Sequence, residues 1–283
     1  VISRRQILQT AASAAIASPL ALGDTPPVKV EGRLNQSVAR WCYRAMSLED
    51  LCKNAKAIGL KGIDLVGKDE WPIVQSYGLV PAMAQPGAGT IAKAWNRLEN
   101  HDALVKEMEV NVNLASAAKL PNVITFSGNR EGMSDVEGLT NCVTGLNKVK
   151  KMAEEKNVTI CLELLNSKID HHDYMCDHTA WGAQVIDQVN SPRVKLLYDI
   201  YHMQIMEGDI IRTIRGNITR IAHFHTGGVP GRHELDDTQE LDWHAVARAI
   251  ADTGFQGFVA HEFIPVSKDP MKSLAQAYQT MTV

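Results

Sequence analysis

The chain has 283 residues, 45% hydrophobic and 22% charged, enough for a sizeable core. That length fits two average domains or one α/β barrel of about 250 residues. A net charge of −3 and a pI near 6.4 exclude the basic footprint of a nucleic-acid-binding protein, whose pI lies above roughly 9, and favour a small-molecule substrate. Cys42, Cys52, Cys142, Cys161 and Cys176 are odd in number, irregularly spaced and without a CxxC pair, so they read as buried free thiols.

At the N-terminus, Ser3-Arg4-Arg5-Gln6-Ile7-Leu8 precedes a weakly apolar, Ala-rich stretch over 9–22. The stretch is too short and interrupted to span a bilayer. A paired arginine before such a segment resembles a twin-arginine export signal, with cleavage expected near Ala21-Leu22-Gly23. On that reading residues 1–30 are signal and linker, the protein is exported to the periplasm, and 31–283 form one domain. The alternative is a short amphipathic helix on a cytoplasmic protein.

From Gln36 onward, short apolar runs alternate with helical patterns. Strands are predicted at 37–42, 62–66, 79–84, 122–126, 159–164, 195–200, 219–225 and 257–262. Several are continuous apolar runs, as in parallel strands buried on both faces. Helices are predicted at 47–58, where Ser47 and Asp50 form a near capping box, and at 101–119, 136–156 and 242–253. Eight strands with intervening helices predict a closed (β/α)₈ barrel, with an open doubly wound sheet as the other arrangement.

Barrel active sites lie at the C-terminal ends of the strands. Four predicted strands end at or beside a metal-capable residue: Glu163, Asp199, His225 and Glu262. An ionised carboxylate at the end of an apolar strand is costly unless paired or bound to a metal. Four on consecutive strands converge above one axis, so they are predicted as ligands. Three carboxylates and one imidazole form a hard donor set suited to Mn²⁺, Mg²⁺ or Co²⁺. Such a centre can bind a carbonyl and its neighbouring hydroxyl and acidify the carbon between them. Glu163 and Glu262 are then the natural proton-transfer pair.

The segments Tyr-Asp-Ile-Tyr-His-Met-Gln-Ile-Met-Glu-Gly-Asp at 198–209 and Val-Pro-Gly-Arg-His-Glu at 229–234 resemble signature segments of hydroxypyruvate isomerases. Phe-Ser-Gly-Asn-Arg at 126–130 and Trp-Cys-Tyr at 41–43 are similar to that family too. It is one of the xylose isomerase-like TIM barrels, which include tagatose 3-epimerase-type enzymes. The resemblance runs from about Gln36 to Phe263. It implies Glu163 and Glu262 as ligands and proton donor-acceptors, Asp199 as a ligand, His202 in contact with substrate, and Arg232 holding a carboxylate or a distal hydroxyl of it. Hydroxypyruvate isomerases often carry Gln at the third ligand position; His225 is what the sugar epimerases carry.

Trp41 is a candidate wall for the substrate or a core residue, and His101 a candidate contact or a surface histidine. His171, His172 and His178, in a loop beyond Glu163, are candidates for the mouth of the site, with a solvated loop as the expected reading. Gln-Pro-Gly-Ala-Gly at 85–89 is a weak hint of a phosphate loop, lacking a Lys and a helix start. The expected reaction is isomerisation of hydroxypyruvate to tartronate semialdehyde through an enediolate. A ketose 3-epimerase or another sugar isomerase is the alternative, and a non-catalytic exported binding protein the alternative from another class. A DNA-repair endonuclease on this barrel would need more strand-end histidines and a basic groove. An oligomer is compatible with all of these.

Overall fold

Strands with aliphatic residues on both faces must be covered on both, either by helices on each side of an open sheet or between a filled barrel interior and a ring of helices. A computed structural model describes residues 32–283; the Arg4–Arg5 pair and the expected leader lie outside the described residues. The strands are β1 (Asn35–Ala39), β2 (Gly62–Val66), β3 (Val80–Ala88), β4 (Asn122–Thr125), β5 (Thr159–Glu163), β6 (Val194–Asp199), β7 (Ile221–Thr226) and β8 (Phe258–His261). They pair in parallel, in chain order, and β1 closes on β8. The predicted barrel, not the open sheet, is the fold.

The connecting helices are α1 (Leu48–Ile58), α2 (Trp71–Ser76), α3 (His101–Ala117), α4 (Asp135–Lys156), α5 (Thr179–Val189), α6 (Ile200–Met206), α7 (Ile210–Asn217), α8 (Trp243–Asp252) and α9 (Pro270–Thr280). Their ends follow local chemistry. Ser47, Ser134, Asp242 and Asp269 accept from the amides of Asp50, Glu137, Ala245 and Lys272, each satisfying a first-turn donor. Gly59 ends α1 at φ 116°, a left-handed conformation that costs glycine nothing. On α3 the predicted stripe of Leu104, Met108, Val112 and Ala115 is buried. None of the described helices is long and apolar enough to cross a membrane.

Two expectations change. The first strand stops at Ala39, and Arg40–Tyr43 forms a 3-10 turn in which Arg40 Nη1 donates to Tyr43 O at 3.0 Å. The segment 85–89 is no phosphate loop: β3 runs through it to Ala88, and a Cβ on Gly87 would stand 1.5 Å from Ile124 O of β4. The glycine is there for close strand approach. The five cysteines are free, four of them buried.

Two side chains hold the loops at the C-terminal face. Arg130, after β4, pairs with Asp135 (2.8 Å) and with buried Asp177 (3.0 Å) beyond β5. Glu234, after β7, accepts from the amides of Val266 and Ser267 and from Ser273 Oγ of α9, each at 3.0 Å.

Candidate active site

Strand register brings the four predicted ligands together. Asp199 on β6 lies opposite His225 on β7, and Glu163 ends β5 opposite Leu197. Glu262 falls one residue past β8, but its amide still donates to Thr226 O at 2.9 Å. All four side chains are buried, and each offers a ligand atom within 4.8 Å of the others.

His225 is the centre of the group. Its Nδ1 lies 2.7 Å from Glu262 Oε2, 3.3 Å from Glu163 Oε1 and 3.9 Å from Asp199 Oδ2. That nitrogen nevertheless makes no hydrogen bond of acceptable geometry. Three convergent carboxylates and a buried, unsatisfied imidazole nitrogen fit a divalent cation better than they fit one another. On the far side of the ring, Nε2 lies 3.2 Å from Asp64 Oδ2. Asp64, in β2, also takes His223 Nε2 at 2.6 Å and Ser37 Oγ at 2.8 Å. It thus fixes the ring that presents Nδ1, the arrangement by which carboxylates orient metal-binding imidazoles.

The electrostatics follow from burial and these contacts. Burial raises the Glu163 carboxyl to about 7, against the pull of His225. Burial also raises Asp199, despite Arg232. Burial would push Glu262 up as well, but Arg232 and His225 hold it well below the usual carboxylate range. Desolvation disfavours a charged His225, yet Glu262, Asp64 and Glu163 together raise it well above an ordinary histidine. Positive charge near the three acids therefore comes from His225 and Arg232.

Arg232, in left-handed conformation at φ 58°, points its fork into the same group. Nη2 donates to Asp199 Oδ2 at 2.7 Å and to Glu262 Oε2, while Nη1 lies 2.6 Å from His202 Nε2. The guanidinium carbon sits 4.8 Å from the Tyr201 ring centre and 5.8 Å from that of Trp41. Trp41 is more than a wall: its Nε1 donates to Glu262 Oε1 at 2.5 Å.

His202 is buried and its protonated form is disfavoured, first by desolvation and then by Arg232. Asn166 sets its tautomer. Asn166 Oδ1 accepts from the amides of Ile169 (3.0 Å) and Asp170 (2.9 Å), so its nitrogen faces His202 Nδ1 at 2.6 Å. Nδ1 is then an acceptor, and the ring hydrogen sits on Nε2.

Glu163, Glu262, His202, Arg232 and Trp41 line one cavity of about 530 Å³ at the C-terminal face. His171 lines it too, beside His202 at 5.3 Å between ring centres, contrary to the expected solvated loop. His101 does not reach it: buried, it contacts Trp95 O through Nε2 at 2.9 Å. Asp64 and Asn166 escaped the sequence reading. A cleft of about 690 Å³ at the opposite end of the barrel has Lys119, Lys156, Arg193 and Lys195 in its walls but no acid or imidazole.

Residues 52–281 match the family described as xylose isomerase-like TIM barrel. A Mus musculus protein that carries the provisional name hydroxypyruvate isomerase is 31% identical over 123 residues, 44% of this chain and 44% of that protein. A D-psicose 3-epimerase of Ruminiclostridium cellulolyticum is 33% identical over 124 residues, 42% of this chain and 39% of its own length. Each match thus spans less than half of the relative. A solved structure described as an AP endonuclease, family 2, from Brucella melitensis superposes with TM-score 0.74 over 86% of this chain and 98% of that one. At 21% identity that likeness speaks for the fold alone.

Proposed function

The chain belongs to the xylose isomerase-like TIM barrel family, and on that premise we propose that it is a divalent-metal-dependent isomerase of a short hydroxy-carbonyl compound, of the hydroxypyruvate to tartronate semialdehyde type. The observation that carries the reading is that two carboxylates, Glu163 and Glu262, converge on His225 Nδ1, at 3.3 and 2.7 Å, and line one cavity. Glu163, Asp199, His225 (through Nδ1) and Glu262 would hold the ion. Bound there, it supplies positive charge that draws electron density from the carbonyl and adjacent hydroxyl oxygens of a substrate.

The remaining work falls to the protein. One carboxylate takes the proton from the hydroxyl-bearing carbon as that C–H bond breaks, and its electron pair forms the carbon–carbon double bond of an enediolate. A new C–H bond then forms at the former carbonyl carbon, with a proton from a carboxyl, while the hydroxyl proton is lost and the other oxygen gains one. Atoms and charge balance with no added oxidant. Trp41 steadies Glu262 for this by its N–H. His202 offers Nε2–H and Arg232 offers Nη1–H toward the same point, 2.6 Å apart. Two donors facing each other are unfavourable, and a substrate oxygen accepting from both relieves the clash. The relation between Glu163 and Glu262 also suits epimerisation of a ketose at C3, and the imidazole at the third ligand position favours that second reading.

The test is conversion of hydroxypyruvate to tartronate semialdehyde, followed by NMR. EDTA should abolish it and Mn²⁺, Co²⁺ or Mg²⁺ restore it. Full activity in protein shown by elemental analysis to be metal-free sinks the proposal.

A further inference from the structure

We propose that Arg44 selects an anionic substrate, pairing with its carboxylate at the mouth of the cavity. The inference rests on the isomerase reading and narrows its substrate class to short 2-oxo and hydroxy acids. Arg44 directly follows the 3-10 turn that carries Trp41, and it lines the cavity that Glu163 and Glu262 share. It is exposed, and among the described residues it has no hydrogen bond or ion pair.

Nearby charges are already committed. Arg232 is held by Asp199 and Glu262. Arg40 reaches Glu70 at 3.6 Å and Tyr43 O at 3.0 Å. Asp170 accepts from the Tyr201 hydroxyl at 2.8 Å and from the Asn166 amide at 2.7 Å. Arg44 is therefore the cation in the cavity lining without an internal partner, and its planar fork matches a carboxylate.

The rest of the cavity points the same way. Leu65, Ile91, Ile124, Phe126, Leu165 and Ile264 make an aliphatic and aromatic wall. Apart from Glu163, whose carboxylate faces His225, Gln85 and His171 are the other lining polar side chains without a hydrogen bond among the described residues. A ketohexose would lay a row of distal hydroxyls against that wall, and hydroxyls stripped of water without new partners weaken binding. A three- or four-carbon acid has few distal hydroxyls and one charge, which Arg44 can meet.

The experiment compares hydroxypyruvate with dihydroxyacetone, which replaces the carboxylate by a hydroxymethyl group. Solvent deuterium entering each compound is followed by NMR with the full, Mn²⁺-loaded chain. Arg44→Ala should lower the hydroxypyruvate over dihydroxyacetone ratio of kcat/KM by at least about tenfold, the scale of one charge-assisted pair at a wetted mouth. The loss should appear mainly in KM, and Arg44→Lys should recover part of it. An unchanged ratio, or equal losses on both compounds, overturns the role of Arg44. Exchange of neither compound by the wild type would instead count against the isomerase reading. Arg44 is then decided by calorimetry with tartronate. Binding weakened at least about fivefold in Arg44→Ala supports the carboxylate contact, and equal affinity rejects it.

Discussion

Exchanging Asp64 for a neutral residue should weaken metal binding without touching any ligand. Its Oδ2 faces the Nε2 atoms of His225 (3.2 Å) and His223 (2.6 Å), and its Oδ1 accepts from Ser37 at 2.8 Å. Asp64→Asn can keep an oxygen toward the imidazoles and turn its amide nitrogen to Ser37, so the geometry survives while the charge is lost. The His225 ring is then a poorer donor at Nδ1. Loss of an outer carboxylate of this kind costs about 10–100-fold in metal affinity, or about 1.4–2.7 kcal/mol. Asp64→Ala leaves two buried imidazole nitrogens without their acceptor, at about 1–3 kcal/mol each. With roughly 2–4 °C per kcal/mol for a domain of this size, melting should fall by about 4–24 °C. Mn²⁺ affinity is read by electron paramagnetic resonance of the free ion, and stability by thermal melts in EDTA. If Asp64→Asn binds Mn²⁺ within about threefold of wild type and Asp64→Ala melts within about 2 °C, Asp64 does not orient His225.

Gly87→Ala forces a Cβ to within 1.5 Å of the Ile124 carbonyl. Separating β3 from β4 should cost about 3 kcal/mol or more, seen as a melting point lower by at least about 6 °C. Glu234 carries a carboxyl that burial would raise but that the Ser267 amide and its other donors bring below the ordinary value. A carboxylate with a depressed folded-state pKa stabilises above the unfolded value, about 4.3, and loses that contribution as pH falls through the folded value. Wild type should therefore exceed Glu234→Gln by about 2–4 °C at pH 7. Melts from pH 7 to 3 should show the gap closing; a gap that widens in acid contradicts the assignment. Replacing Arg4 and Arg5 by Lys should retain the protein in the cytoplasm of its host. Fractionation that finds the variant exported normally would reject the twin-arginine reading.

The barrel was legible because its strands are apolar runs punctuated by helical periodicity. The three clustered acids and the histidine were legible because a charged or imidazole side chain at the end of such a run stands out. Asp64 carries the same signal, one acid inside Gly-Ile-Asp-Leu-Val, but it sits in mid-strand, where no active-site position draws attention. Its role depends on the side chains of β7 reaching across the barrel interior to meet it, a contact 159 residues away in sequence. Asn166 was invisible for a different reason. An asparagine after a strand reads as a turn, and only the two amides fixing its orientation show that it also sets the His202 tautomer. His101 illustrates the reverse. It opens α3 in sequence, but packing against Trp95, at 5.8 Å between ring centres, takes it into the core.

The central claim is that Glu163 and Glu262 move a proton between adjacent carbons of a substrate held at one metal centre. The most direct measurement is turnover in D₂O with saturating Mn²⁺ for wild type, Glu163→Gln and Glu262→Gln. Wild-type product should carry solvent deuterium at the carbon that receives the proton. Each variant should lose at least about a hundredfold in rate, the lower end of a general-base contribution. Product free of deuterium under all conditions, with both variants still active, would contradict two-carboxylate proton transfer and point to a hydride shift at the same site.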